Sequence, residues 1–176
     1  MKVIVLAVDW SEHSERAAEL ASDFAAKYGA ELVAVHVIPD KPIPSDERHL
    51  AEIEFADEIK KYPGSGFSTE GPDSTSLELK DIVSEHESRD RVLRSIIGDM
   101  LLKRVQRLAH GKGVETVDTV RSEGNVADAI LKAAKERKAD LIVVGSRGLG
   151  AMGEVFLGSI SHKVNQLSEV TVVTVK

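Results

Sequence analysis

Short apolar runs alternate along this chain with segments whose apolar residues recur at helical spacing. The runs occupy residues 3–8, 32–38, 114–120, 141–144 and 170–175. Continuous runs of β-branched residues and leucine are typical of parallel strands that are buried on both faces. Apolar residues three or four positions apart predict helices between the runs, at residues 17–28, 92–108, 126–134 and 159–167.

The order of these elements predicts the fold class. Alternating strands and helices predict an α/β protein, in which helices cover both faces of a parallel sheet. Five strands predict a doubly wound, Rossmann-like sheet with the strand order 3-2-1-4-5. Ser11 or Ser14 is expected to cap the first helix, and Gly29 is expected to end it.

Residues 39–90 interrupt this alternation after the second strand. All five prolines lie there, and residues 62–76 are rich in glycine, serine, proline and aspartate. Such a composition buries too little apolar surface to offset the entropy of ordering. The segment holds 14 acidic and 6 basic residues, a net of −8, whereas the rest of the chain carries +2. We therefore predict one domain over residues 1–176, with an acidic, partly mobile insertion at about residues 39–90.

The composition of the chain and the distribution of its charged and apolar residues exclude several classes of function. The absence of cysteine excludes disulfides, thiolate metal sites and cysteine nucleophiles. Outside the insertion the charge is close to neutral and no lysine/arginine stripe occurs, so nucleic acid is not an expected partner. No run approaches the roughly 18 apolar residues of a membrane helix, and we expect a cytoplasmic protein.

His36 has apolar neighbours and is expected to be a packed, hydrogen-bonded side chain.

A ligand is expected at the carboxyl ends of the first and fourth strands, where a doubly wound sheet has its switch point. Asp9 follows the first strand, and the loop GSRGLGAMGEVFLGS at residues 145–159 follows the fourth. Glycines let the backbone approach an anion, and Arg147 adds a cation. Gly158 and Ser159 stand at the start of the last helix, where a phosphate is favoured. The same glycines are equally compatible with tight turns.

This loop and four shorter segments resemble the universal stress protein family. ATP-binding members of that family carry G-x2-G-x9-G-[ST], which Gly145, Gly148, Gly158 and Ser159 match without adjustment. The segments VDWSEHSERA, AVHVI, EGNVADAIL and ADLIVVGSRG are also similar to the family. The resemblance covers residues 1–38 and 91–176, so the insertion is the departure from the family's pattern.

The resemblance implies an adenine-nucleotide site and gives each matching position a role. Asp9 would lie near the ribose and adenine, the backbone of Val37 would meet the adenine, and Gly124 would open a helix near the sugar. The positions implied to line the nucleotide or wrap its phosphates are Val144, Gly145, Gly148, Gly158, Ser159 and Ile160. The implied ligand is ATP or AMP, with Mg²⁺ or Mn²⁺ accompanying the triphosphate.

The resemblance also implies a homodimer through the last strand, Thr171–Val175, which would protect an exposed sheet edge. The acidic insertion is a candidate surface for an unknown protein partner. Three functions stay open at this point. One is an ATP-binding regulatory protein of the stress response, one is a slow ATPase or self-phosphorylating enzyme, and one is a dimeric interaction protein that works without nucleotide.

Overall fold

The computed structural model describes residues 1–38, 53, 56, 79–147 and 158–176, and it describes side chains at these positions except residues 79–92. The chain clusters into two compact units, Met1–Asp40 with Gly98–Lys176 and Lys41–Ile97. Most of the predicted insertion at residues 39–90 lies outside the described residues, so its partial mobility stays a prediction. The sheet and the candidate site belong to the first unit.

The described residues form five strands and four longer helices in alternating order. In chain order they are β1 (Val3–Val8), α1 (Glu12–Tyr28), β2 (Glu31–Ile38), α2 (Leu79–Gly111), β3 (Val117–Glu123), α3 (Val126–Glu136), β4 (Leu141–Gly145), α4 (Ser159–Leu167) and β5 (Thr171–Val175). All neighbouring strands are parallel, in the order β3-β2-β1-β4-β5. The predicted doubly wound fold is confirmed.

Both faces of the central strands are buried. On one face α3 and α4 pack against Val5, Val33 and Ile142, and Val164 of α4 is fully buried in this cluster. The alternate residues of the strands, such as Leu6, are buried as well. On α1 the buried positions are small ones, four of them alanines, and this helix contacts β1, β4 and β5. Small side chains let a helix lie close to a sheet, which is why the start of α1 comes so near the end of β4.

The ends of α1 are those that the sequence predicts. Ser11 has an extended backbone, and its side chain accepts a hydrogen bond from the N–H of Ser14. Gly29 is in the left-handed region, with φ 60°, and its N–H is bonded to the carbonyl of Ala25. Glycine takes this conformation without steric cost.

Two elements have different bounds from those predicted. The helix expected at residues 92–108 extends over Leu79–Gly111, because residues 79–97 contain neither glycine nor proline and continue the helix beyond its apolar pattern. The strand expected at residues 114–120 runs over Val117–Glu123, because it pairs with β2 as far as Ile38. Its last residues are polar, and an edge strand tolerates such residues.

His36 is packed and hydrogen-bonded, as predicted. Its Nδ1 lies 2.9 Å from the carbonyl oxygen of Val8 and donates to it. Burial lowers the pKa of His36, and the bond to Val8 opposes that shift only in part. The ring lies directly against the backbone of α2 at Gly98, where an added Cβ would be 2.5 Å from His36 Cδ2. The contact therefore requires glycine at this position.

We expect Gly98→Ala to destabilise the protein by about 1–3 kcal/mol through overpacking. The ring cannot move away without losing its bond to Val8, and this cost exceeds the gain of about 1 kcal/mol from replacing a helical glycine. Gly111→Ala is the matched control, because its added Cβ meets nothing within 4 Å. Urea unfolding followed by circular dichroism gives both values. Equal stability of the two variants would contradict the packing argument.

Candidate functional site

Asp9 is held by a compact network at the end of β1. The N–H and the hydroxyl of Ser11 both donate to Asp9 Oδ1, at 2.9 and 2.5 Å. The N–H of Asp9 donates to the hydroxyl of Ser14 at 2.9 Å, and the N–H of Ser14 donates to the hydroxyl of Ser11 at 3.1 Å. Both serines are buried. The carboxylate of Asp9 therefore has a fixed orientation at the carboxyl edge of the sheet.

Ser11 also connects this network to the segment after β4. Its Oγ lies 3.1 Å from the carbonyl oxygen of Arg147, within hydrogen-bond distance. Because β1 and β4 are neighbours, the chain segments that follow them meet at the switch point. The side chain of Ser11 thus lies between the carboxylate of Asp9 and the backbone carbonyl of Arg147. The sequence assigned these two residues to the same site.

The carbonyl of Ser146 fastens the start of α4 to the end of β4. It accepts a hydrogen bond from the N–H of Gly158 at 2.7 Å and another from the hydroxyl of Ser161 at 2.9 Å. A Cβ on Gly158 would lie 3.2 Å from this carbonyl oxygen and 3.4 Å from Cα of Arg147. The two ends of the loop are therefore in direct contact, and glycine permits the contact.

The N-terminus of α4 differs from those of α1 and α3. Ser11 caps α1 and Asn125 caps α3 with side-chain oxygens, and both helices have an acidic residue in the first turn. The N-cap of α4 is Gly158, which provides no side-chain bond, and its first turn has no acidic residue. Helix N-terminal amides carry a partial positive charge. The start of α4 is therefore suited to an external anion.

Ser159 and Ile160 form the first turn of α4. The side chain of Ser159 is exposed, whereas Ile160 is partly buried against the core cluster under α3 and α4. The hydroxyl of Ser159 can donate to an oxygen of a bound anion. Lys163, one turn later, pairs with Asp128 at 2.7 Å and so links α4 to the first turn of α3.

Gly145 and Val144 end β4, and close packing accounts for both of them. A Cβ on Gly145 would lie 3.0 Å from the backbone carbon of His13 and 3.0 Å from the backbone nitrogen of Ser14. Val144 is buried and pairs with Thr174 of β5. The absence of a side chain at residue 145 is needed for the first turn of α1 to approach the sheet.

Val37 and Gly124 lie at the same edge, on the other side of Asp9. His36 of β2 pairs with Val8 of β1. Val37 and Asp9 are therefore the next residues along two neighbouring segments of the chain. Val37 itself is buried in the core cluster. Gly124 has φ 105°, and its N–H donates to the carbonyl of Ile38 at 2.9 Å. Only glycine adopts this backbone readily, and Asn125 then begins α3.

The structure brings together a large part of the predicted site. Hydrogen bonds join Asp9 to Arg147 through Ser11, and join Gly158 to the end of β4. Gly148 lies outside the described residues. Sequence reasoning gave Ser146 and Ser161 no role at the site, and it gave Ser11 and Ser14 only a capping role. No local signal indicates Ser161, because its bond to Ser146 joins residues on either side of the loop. No group of three or more histidine or acidic side chains within the described ranges is arranged to hold a metal ion.

The strand order defines a doubly wound α/β protein, and the candidate site lies at its switch point. The profile of the universal stress protein family matches residues 1–176. The chain therefore belongs to the universal stress protein family, as the sequence resemblance predicted. Among the helices that the structure describes, none is long and apolar enough to cross a membrane.

Curated relatives and solved structures agree with this assignment. A universal stress protein of Thermus aquaticus, encoded in the QAH/OAS sulfhydrylase 3′ region, is 35% identical over 93% of this chain and 90% of its own length. Universal stress protein YxiE of Bacillus subtilis is 31% identical over 98% and 97%.

Two solved structures carry adenine nucleotides. A universal stress protein in complex with cAMP has a TM-score of 0.59 at 21% identity, covering 99% of this chain and 96% of its own. The protein from Archaeoglobus fulgidus in complex with dAMP has a TM-score of 0.55 at 19% identity, covering 100% and 98%. These likenesses show the fold.

We expect Gly145→Ala to lower the free energy of unfolding by about 1–3 kcal/mol in the absence of any ligand. The atoms that an added methyl group would meet belong to the α1 backbone, which cannot rotate away. Gly158→Ala is the comparison variant, because its closest contact is longer, at 3.2 Å, and its cost should be smaller. Thermal unfolding of the purified variants measures both. Unchanged stability of Gly145→Ala would show that α1 has room to shift.

Proposed function

We propose that this protein binds an adenine nucleotide, ATP by preference, at the carboxyl edge of its sheet and acts as a nucleotide-responsive regulatory protein of the stress response. The observation that carries the proposal is the start of α4. Its N-cap has no side chain, its first turn has no acid, and it is bonded directly to the end of β4. Negative charge at this position is favoured by the helix dipole and by the amides of the first turn.

The relatives with bound nucleotides support adenine as the base. The cAMP and dAMP complexes are of proteins with the same fold, and their ligands share adenine and a phosphate while differing in the sugar. The match to the family's ATP-binding motif at residues 145–159 supports a triphosphate. We therefore assign the sugar and base to the side of the site at Asp9 and the phosphates to the start of α4.

In this proposal each predicted residue has a physical task. The fixed carboxylate of Asp9 accepts from a sugar hydroxyl, the backbone at Val37 meets the base, and the glycine turn at Gly124 leaves room beside the sugar. The residues proposed to line the nucleotide or hold its phosphates are Val144, Gly145, Arg147, Gly148, Gly158, Ser159 and Ile160. Mg²⁺ or Mn²⁺ would enter with the triphosphate, because such ions are commonly held by phosphates and one or two carboxylates.

A regulatory role needs a conformation that the nucleotide favours. A ligand shifts a conformational equilibrium only by its difference in affinity for the two states. Arg147 and Gly158 are both hydrogen-bonded at the site, so binding there would act directly on these two residues. We assign this function to the cytoplasm, where ATP is abundant, and propose the acidic insertion as a surface for a protein partner.

We expect freshly purified protein to release an adenine nucleotide when it is denatured, as measured by chromatography and mass spectrometry. Titration calorimetry should then show that Ser159→Ala weakens ATP binding about fivefold, the worth of one hydrogen bond of about 1 kcal/mol. Ser159→Thr keeps the hydroxyl and should bind as the wild type does. Residue 159 is exposed, so neither variant should lose much stability. No released nucleotide and no heat with ATP and Mg²⁺ up to about millimolar would overturn the proposal.

We further propose a homodimer that pairs β5 with β5 of a second copy. The strand order leaves β3 and β5 at the two edges of the sheet. β3 carries Asp118, Arg121 and Glu123, and charges protect an edge from pairing. β5 has the sequence TVVTV, which has no charge and favours strand pairing. The uncharged edge is therefore the one that supports association.

Thr171→Lys should shift the protein toward the monomer, because it adds a charge to the exposed start of β5. Thr116→Lys, at an exposed position just before the other edge strand, is the control and should leave the assembly unchanged. Sedimentation velocity over a range of concentrations measures the assembly state. A wild type that stays monomeric, or equal behaviour of the two variants, would contradict a dimer through β5.

A further inference from the structure

The hydroxyl of Ser11 has two acceptors and one hydrogen. It lies 2.5 Å from Asp9 Oδ1 and 3.1 Å from the carbonyl oxygen of Arg147. A hydroxyl carries a single hydrogen, so it can donate fully to only one of them. The shorter contact is to the charged oxygen, as expected of a charge-assisted hydrogen bond. The bond to Arg147 is the weaker alternative for the same hydrogen.

We propose that Ser11 is a positioning residue that couples the sugar side of the site to its phosphate side. The proposal rests on the nucleotide-binding function. A ligand hydroxyl that donates to Asp9 Oδ1 competes with the Ser11 hydroxyl for that oxygen. The hydrogen of Ser11 then turns to the carbonyl of Arg147 and fixes the chain that follows β4.

A stronger hydrogen bond to the carbonyl of Arg147 affects the phosphate side through the bonds of the preceding residue, Ser146. Arg147 follows Ser146, whose carbonyl accepts from Gly158 and from Ser161 at the start of α4. Gly158 also lies against Cα of Arg147, as its added Cβ would be 3.4 Å from that atom. Fixing the peptide at residue 147 therefore fixes the amides that would meet a phosphate.

Helix capping does not account for this arrangement. Capping uses the hydroxyl of Ser11 as an acceptor, from the N–H of Ser14 at 3.1 Å. Asn125 caps α3 in the same manner, by accepting from the N–H of Asp128 at 3.2 Å. Glycine at an N-cap costs only a few tenths of a kcal/mol relative to serine. The role of the Ser11 hydroxyl as a donor is thus separate from its capping role, in which it is an acceptor.

The backbone of Ser11 allows the coupling to be tested without disturbing Asp9. The N–H of Ser11 donates to Asp9 Oδ1 at 2.9 Å and remains when the side chain is removed. Loss of the hydroxyl should therefore leave the sugar side nearly intact and loosen the phosphate side. This predicts a change in the ratio of two affinities, which a general loss of structure would not produce.

The experiment measures the dissociation constants of adenosine and of ATP with Mg²⁺ by calorimetry, in the wild type and in Ser11→Gly. We expect Ser11→Gly to weaken ATP about fivefold, the worth of one hydrogen bond of about 1 kcal/mol, with adenosine changed less than about twofold. Ser11→Thr keeps the hydroxyl and should restore the wild-type ratio. Ser11→Ala provides a second variant without the hydroxyl if the glycine variant does not fold.

Ser168→Ala is the control for the loss of a bonded serine elsewhere. Its hydroxyl donates to the carbonyl of Val170 at 2.8 Å and accepts from the N–H of the same residue. Both residues lie just before the first residue of β5, at the end of the sheet opposite the candidate site. The ratio of the ATP and adenosine dissociation constants in Ser168→Ala should equal that of the wild type. Unchanged ratios in Ser11→Gly and Ser11→Ala, with ATP still bound by the wild type, would overturn the coupling and leave the nucleotide function standing. Failure of the wild type to bind either compound would overturn both.

Discussion

The carbonyl oxygen of Ser146 is the point on which the candidate site depends. It accepts two hydrogen bonds from the start of α4, at 2.7 and 2.9 Å, while the N–H of the same residue donates to the carbonyl of Val175. β4, β5 and α4 are therefore bonded to one residue just beyond the sheet. The geometry of the helix start follows from these bonds, so the position that would receive an anion is set by the sheet itself.

The strand order adds the second half of the site. Because β1 lies between β2 and β4, the segment after β1 has the end of β2 on one side and the end of β4 on the other. Ser11 bonds toward β4, and His36 bonds to the last residue of β1 from β2. An extended ligand laid along this edge would meet the strand ends in order, with Asp9 at the centre.

The sequence was sufficient to predict the fold, since apolar runs and helical periods are local signals whose alternation limits the topology. It also indicated both ends of α1 and the packed state of His36. It placed β3 too early because Val114 is buried before the strand begins, whereas the pairing with β2 that defines β3 is a long-range property. It placed the start of α2 too late because polar residues can continue a helix with no apolar stripe.

The grouping of the candidate residues at one edge of the sheet was predictable, and the hydrogen bonds among them were less so. Asp9 and residues 145–159 could be assigned to one edge because the switch point follows from the topology. The bonds from Ser11 to Arg147 and from Ser161 to Ser146 join residues whose separation along the chain has no fixed signature. A serine near a helix start is expected to cap it, and its second contact depends on which loop the sheet brings alongside.

The glycines of the family motif need a physical account that does not begin with a ligand. Gly145 lies closely against the α1 backbone, and Gly158 lies against the carbonyl of Ser146. Both contacts exist in the folded chain by itself, so glycine spacing alone indicates close packing at the end of β4. What packing does not explain is that α4 begins without a side-chain cap and without an acid, when α1 and α3 have both. A helix start left open in this manner is the stronger argument for a bound anion such as phosphate.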